Sequence, residues 1–181
     1  RLQAHGINRV LLSLNASQVR NLPKTRARLR PLLNELHAAS MQVELVFAEP
    51  TWMYPKQRPG LLKLLNDLQG LPFDGIHLDL EVEQLPEWQK SPARAQRWWL
   101  ETVNAVAEAT ALPLGLSMHY RHLAAPAVMQ ALRASKLKRL AIMAYVTRPA
   151  RQLEIMRQAV QVFPGRGLDL ALSIEASLPP E

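Results

Sequence analysis

The chain has no cysteine among its 181 residues, which excludes disulfide bridges and thiolate-ligated metals and is compatible with a cytosolic, envelope or secreted setting. It also lacks any apolar run long and uninterrupted enough to cross a bilayer. It begins Arg1-Leu2-Gln3-Ala4, with neither an initiator methionine nor a signal-like apolar stretch, so the expectation is a segment of a longer polypeptide. Compartment stays open, with a bacterial envelope or secreted setting as the working expectation and any signal peptide outside this segment. With 48% hydrophobic residues the chain can bury one substantial core but hardly two, and residues 1–181 read as one domain.

Acidic residues are the minority, 15 Asp and Glu against 22 Lys and Arg, for a net charge of +7. Such an excess can signal nucleic acid, an acidic glycan or a membrane surface. Here the basic residues fall in helix-like segments, Lys24 to Arg30, Arg94 to Arg97, Arg133 to Arg139 and Arg148 to Arg157. They are spread around the molecule and not interleaved with aromatics, which reads as solvated helix faces and not as a nucleic-acid surface.

What is present is a repeat of strand then helix. Short apolar segments at 9–14, 43–48, 76–82, 113–118, 140–146 and 168–174 alternate with stretches of helical periodicity. The helical stripes are Leu29, Leu32, Leu33 and Leu36; Leu61 to Leu68; Trp99, Val103 and Val106; Val128, Met129 and Leu132; and Leu153, Met156 and Val160. Ser91-Pro92 reads as an N-cap with proline at the first helical position, and Gly6 and Gly70 fall where helices end. Pro31 begins its helix or kinks it. Of the adjacent Trp98 and Trp99, about 100° apart on a helix, one belongs in the core and the other at its margin.

Near-continuously apolar strands separated by helices imply an α/β fold with a covered parallel sheet, either doubly wound or a (β/α)8 TIM barrel. No glycine follows the first strand, where Asn15-Ala-Ser-Gln-Val stands, so the phosphate loop of a dinucleotide fold is missing. Polar groups instead end nearly every strand: Ser13 and Asn15, Glu49, Asp79 and Glu81, Ser117 and His119, Tyr145 and Thr147, Ser173 and Glu175. A barrel delivers its functional groups in this way. Six strand–helix units fall short of eight, so the expectation is a partial TIM barrel lacking its first and last strands, completed by parent-chain segments or another subunit.

The densest chemistry lies in Phe73-Asp74-Gly75-Ile76-His77-Leu78-Asp79-Leu80-Glu81. Alternation puts His77, Asp79 and Glu81 on one face and Ile76, Leu78 and Leu80 on the other. Burying a lone carboxylate costs several kcal/mol unless it is paired or protonated, so the polar stripe should open on a functional cavity. The bland alternative is a buried ion pair of Asp79 or Glu81 with an arginine such as Arg121 or Arg148.

Asp74 to Glu81 resembles the Asp-x-x-Asp-x-Asp-x-Glu motif of the family 18 chitinase-like glycosidases, carried there on the fourth barrel strand. Ile142-Met143-Ala144-Tyr145 resembles that family's Met-x-Tyr-Asp motif on strand six, and numbering the observed strands two to seven puts both motifs in register. Leu78-Asp-Leu-Glu-Val-Glu83 with Gln84-Leu-Pro-Glu-Trp88 is also similar to bacterial glycosidase-like barrels. The resemblance implies that Glu81 protonates the leaving glycosidic oxygen, that Asp79 orients an acetamido group or stabilises positive charge, and that Tyr145 contacts the acetamido group. It covers two short motifs. His77, Leu80 and Val146 depart from the family's aspartate, tryptophan and aspartate.

The residues also allow a second scheme, in which Glu81 is the acid and Glu175 or Glu49 the nucleophile or base. Such carboxyl groups sit roughly 5 Å apart for retention or about 6.5–9.5 Å apart for inversion. Trp52 and Tyr54 on a proline-stiffened loop, with Trp88 on the next, are candidate glycan platforms. His77 and His119 are expected to orient carboxylates. Two rivals stay open. His77, Asp79, Glu81, His119, Glu49 and Glu175 could ligate a divalent metal, but neither His-x-His on an early strand nor His-Glu-x-x-His is present, and no metal or cofactor is assigned. Alternatively, the same bowl binds a polysaccharide or oligosaccharide without cleaving it.

Overall fold

The computed structural model describes residues 6–172. Six strands, β1 (Arg9–Ser13), β2 (Gln42–Phe47), β3 (Gly75–Leu78), β4 (Leu114–His119), β5 (Arg139–Met143) and β6 (Gly167–Ala171), pair in parallel in sequence order. The connections carry α1 (Ala16–Arg20), α2 (Leu22–Ala38), α3 (Arg58–Asp67), α4 (Pro86–Lys90), α5 (Pro92–Ala109), α6 (Pro126–Ala134) and α7 (Pro149–Val162). Short 3₁₀ segments at Pro50–Met53, Val82–Gln84 and Tyr120–Ala124 follow β2, β3 and β4. No helix among the described residues is long and apolar enough to cross a membrane.

Local chemistry accounts for the helix boundaries. Asn15 caps α1, its Oδ1 accepting from the Ser17 and Gln18 amides while the Gln18 side chain accepts from Asn15 N, a reciprocal box that satisfies the orphan donors of the first turn. Pro92 opens α5 after Ser91, although the Ser91 side chain makes no capping bond. Pro31 lies inside α2 and neither starts nor ends it. Its missing N–H weakens the helix, and burial of Leu29 and Leu33 on either side holds the helix to the sheet.

The sheet is curled into half a barrel. In a flat sheet, strands about 4.8 Å apart would leave the first and sixth separated by about 24 Å. Yet Arg9 on β1 donates two hydrogen bonds to Asp169 on β6, at 3.0 and 3.1 Å. Only a sheet rolled about its concave face brings those side chains together. Outside this curve, Leu45, Phe47, Ile76, Leu78, Leu116, Met118, Leu140 and Ile142 meet Leu33, Leu61, Trp99, Val103, Val106, Leu132 and Ile155 from the helices in one buried cluster. Trp99 is 1% exposed and Trp98 only partly buried, as their angular separation requires.

Other details differ from expectation, and Leu32, placed on the apolar stripe of α2, is 41% exposed. In α7 the buried residues are Ile155 and Ala159, while Leu153 and Val160 are 59% and 56% exposed. The helix is apolar on two sides, so periodicity alone points to the wrong one. Strand β3 ends at Leu78, although Asp79 N still donates to Phe47 O at 2.9 Å, which keeps Asp79 in register. Strand β5 ends at Met143, because Val146 N bonds back to Ala144 O at 2.8 Å, a three-residue turn with Tyr145 at its centre.

The concave face carries a buried polar layer. Glu44 Oε1 lies 3.6 Å from Arg9 Nη1 and 3.9 Å from Arg139 Nε, and Arg139 Nη1 lies 3.4 Å from Asp169. Glu44 Oε2 sits 3.3 Å from His77 Nδ1, and His77 Nε2 is 2.8 Å from Ser117 Oγ. His77 fits only because Gly115, opposite it on β4, has no side chain, since a Cβ there would stand 2.6 Å from His77 Nδ1. Gly115→Ala should therefore cost about 1–3 kcal/mol through overpacking. Gly60→Ala in α3, where nothing lies within 4 Å of the added carbon, should instead stabilise by about 0.4–1 kcal/mol. Urea unfolding midpoints of the two variants against the parent test both signs.

Candidate functional site

The C-terminal ends of β3, β4 and β5 gather the polar residues left after the helices are capped. Asp79 and Glu81 follow β3 on its concave face, two and four residues beyond buried His77. Asp79 is half-buried, and its Oδ1 is shielded from solvent with no hydrogen-bond partner among the described residues. A buried carboxylate oxygen without a hydrogen-bond partner is uncommon in folded proteins. Glu81 Oε1 accepts from Gln84 Nε2 at 2.6 Å. Burial, followed by the charges of Asp79 and Glu83, pushes the Glu81 carboxyl above its ordinary range. Among the described residues, neither Asp79 nor Glu81 forms an ion pair with Arg121: Asp79 Oδ1 has no hydrogen-bond partner and Glu81 Oε1 bonds Gln84.

Glu83, two residues on, behaves oppositely. Burial would raise its carboxyl, but His122 Nε2 at 2.5 Å, a backbone hydrogen bond and the histidine charges outweigh burial and hold it below the ordinary range. His122 is buried beneath the rings of Trp88 and Trp99, with centroids 5.9 and 5.1 Å away. This pair, absent from the sequence-level expectations, ties the β3 loop to the β4 loop.

His119 ends β4 on the same concave face as Ser117 and Gly115. Its Nδ1 accepts from Arg121 N at 3.2 Å, which leaves Nε2 to carry the proton. Burial first, then repulsion from Arg121, lowers its pKa, so the ring is a neutral donor at neutral pH. Tyr145, at the β5 turn, is 39% exposed.

The other predicted residues are placed less directly. His77 is 1% exposed and touches Glu44 and Ser117, in the layer below Asp79 and Glu81. It thus contacts a carboxylate, but not one of the two it was expected to orient. Glu49 is exposed, and its Oε1 accepts from the Thr51 amide and hydroxyl as a cap on the 3₁₀ turn. Trp52 packs against Phe47 with centroids 5.6 Å apart and lines a cavity of about 250 Å³ with Glu49, Ser13, Val19 and Leu64. Neither Asp79 nor Glu81 lines that cavity. Tyr54 turns outward onto Trp98, 5.4 Å away, and Trp88 packs on His122. Glu175 lies outside the described residues. Among the described residues no three His, Cys, Asp or Glu side chains are arranged to hold a metal ion.

Glu44, Arg9, Arg139 and Asp169 were not singled out from sequence. The available signal was a charged residue at an inward position of four apolar strands.

No protein-family model matches the chain, and comparison with curated proteins finds no match.

The electrostatics of Glu81 can be read from stability. With its folded pKa raised, the charged form is penalised in the native state, and the penalty is felt as pH rises through that pKa. Glu81→Gln should therefore be more stable than the parent at about pH 7, with the gap closing towards about pH 4 as Glu81 takes up its proton. Equal denaturant midpoints at both pH values would contradict this assignment.

Proposed function

We propose that the chain is part of a (β/α)8 barrel of the glycosidase type that hydrolyses a polysaccharide, with Glu81 as general acid. The carrying observation is the pairing of an unpartnered, buried Asp79 oxygen with a neighbouring carboxyl whose pKa is raised by burial and by that same aspartate. A carboxyl whose proton is held more tightly than usual, beside a second carboxyl, is what general acid chemistry at a glycosidic bond requires.

In this mechanism Gln84 holds Glu81 Oε1 as an acceptor, so the proton resides on Oε2. It passes from there to the leaving glycosidic oxygen as the C–O bond breaks. Asp79, two residues before Glu81, faces the positive charge that develops on the sugar ring and stabilises it. The His119 Nε2–H donor and the Tyr145 ring orient the sugar. Glu49 or Glu175 serves as the second carboxylate, acting as base towards water or as nucleophile. Trp88, packed on His122, and His77, in the layer below, support this site.

A second reading, a glycan-binding barrel without turnover, is favoured by the burial of His77 where the resembling family carries an aspartate. The two separate in one experiment. The full-length protein and its Glu81→Gln variant are incubated with a panel of polysaccharides, with and without EDTA, and products are followed by mass spectrometry. The expected outcome is cleavage by the parent that EDTA does not change and that falls by about 10²–10⁴-fold in the variant. Binding of one polymer equally by both proteins, with no product, would favour the scaffold. Loss of cleavage with EDTA would point to a metal.

A further inference from the structure

Most cationic side chains near the sheet ends already have a structural partner. Arg9 and Arg139 face Asp169 and Glu44, Arg58 reaches Glu101, Arg94 reaches Glu87, and Arg166 donates to backbone carbonyls. Arg20, Arg28, Arg133 and Arg157 form no ion pair among the described residues, but they lie on helices. Arg121 stands apart. It is exposed, sits in the 3₁₀ segment directly after β4, and also makes no ion pair among the described residues.

It is nevertheless positioned. Its guanidinium lies 5.8 Å from the centroid of the Tyr120 ring, which stacks on His119 at 4.7 Å. Arg151, from the first turn of α7, lies 5.7 Å from the same ring, but Glu154 at 2.7 Å answers its charge. That turn contains no acidic residue, so the partial positive charge of the helix start is not offset within it. The rim beside His119 is therefore cationic, whereas the β3 side of the site is acidic. The charge of Arg121 reaches His119, but its guanidinium pairs with none of Asp79, Glu81 or Glu83.

We propose that the glycan taken by this site is anionic, a carboxylated polymer of the uronic-acid class, and that Arg121 is the residue that pairs with a substrate carboxylate. The inference rests on the glycan reading above and adds the substrate class. A planar guanidinium held over a ring presents two parallel N–H donors, which match a carboxylate in geometry as well as in charge. A neutral sugar offers that fork hydroxyl oxygens only, with neither the charge nor the paired geometry of a carboxylate.

The test is binding of uronic-acid oligosaccharides, neutral oligosaccharides of the same length and a sulfated glycan to the full-length protein and its Arg121→Gln, Arg121→Lys and Glu81→Gln variants, at two salt concentrations. The expected result is uronan binding that weakens with salt and falls roughly tenfold or more in Arg121→Gln. Arg121→Lys should recover only part of the loss, and Glu81→Gln should retain binding, because its role is proton transfer. Equal uronan affinity of the parent and Arg121→Gln overturns the proposal, as does a preference for neutral oligosaccharides, which would leave the glycan reading standing. Sulfated and carboxylated glycans binding alike, with Arg121→Lys equal to the parent, would overturn the carboxylate assignment. Binding of no glycan by any form would remove the glycan reading itself and this inference with it. Arg121 is exposed, so its variants should fold, and unfolding midpoints check this.

Discussion

The contact on which the rest of the structure depends is the pair of hydrogen bonds between Arg9 and Asp169 across the concave face of the sheet. Parallel strands linked by helices need not roll this far, and an open twisted sheet would bury the same helices. What holds the two edge strands together is a set of half-desolvated charges that satisfy one another: Arg9 and Arg139 share Asp169 and Glu44. Removing one member would leave the others partly buried without a counter-charge, and partners of this kind are costly to orphan. The roll also swings the ends of β3, β4 and β5 towards a common centre, so that Asp79, Glu81, His119 and Tyr145 can share one site.

Two layers with opposite electrostatic habits follow. In the lower layer burial works against Glu44, yet His77, Arg9 and Arg139 together keep it ionised, with a pKa below its ordinary value. In the upper layer Glu81 has no cation to answer it, only further carboxylates, and burial prevails. The same residue type thus becomes a stronger acid in one layer and a weaker one in the next. Glu83, close in sequence to Glu81, falls on the structural side because His122 reaches it.

The alternation from Ile76 to Glu81 was legible because it needs only local geometry, and the structure keeps its two faces apart. The order of strands and helices was legible for the same reason, and so was the parallel pairing, since helical crossovers leave little else. The ionic layer was not. Arg9 and Asp169 are 160 positions apart, and each reads alone as an unremarkable charge at a strand boundary. The roles of Glu49, Asn15 and the His119 Nδ1 were also obscured, since a polar residue at a strand end serves equally as a helix cap or a ligand contact. Tyr54 and Trp88 illustrate a similar ambiguity, because rings on rim loops can stack on a sugar or on their neighbours, and the backbone turn decides. Leu153 and Val160 misled because α7 is apolar on two faces.

Gly115 and His77 form a lock whose parts cannot change singly. A methyl group at position 115 would overlap the imidazole, 2.6 Å from its Nδ1, and an imidazole at 77 has room without adjustment only while position 115 carries hydrogen. Sequence drift that keeps the histidine is penalised for any side chain at position 115, whereas loss of the histidine would lift most of that penalty. The two positions should therefore behave as one inherited unit, and a redesign that exchanged His77 for a smaller residue would gain a second site to fill.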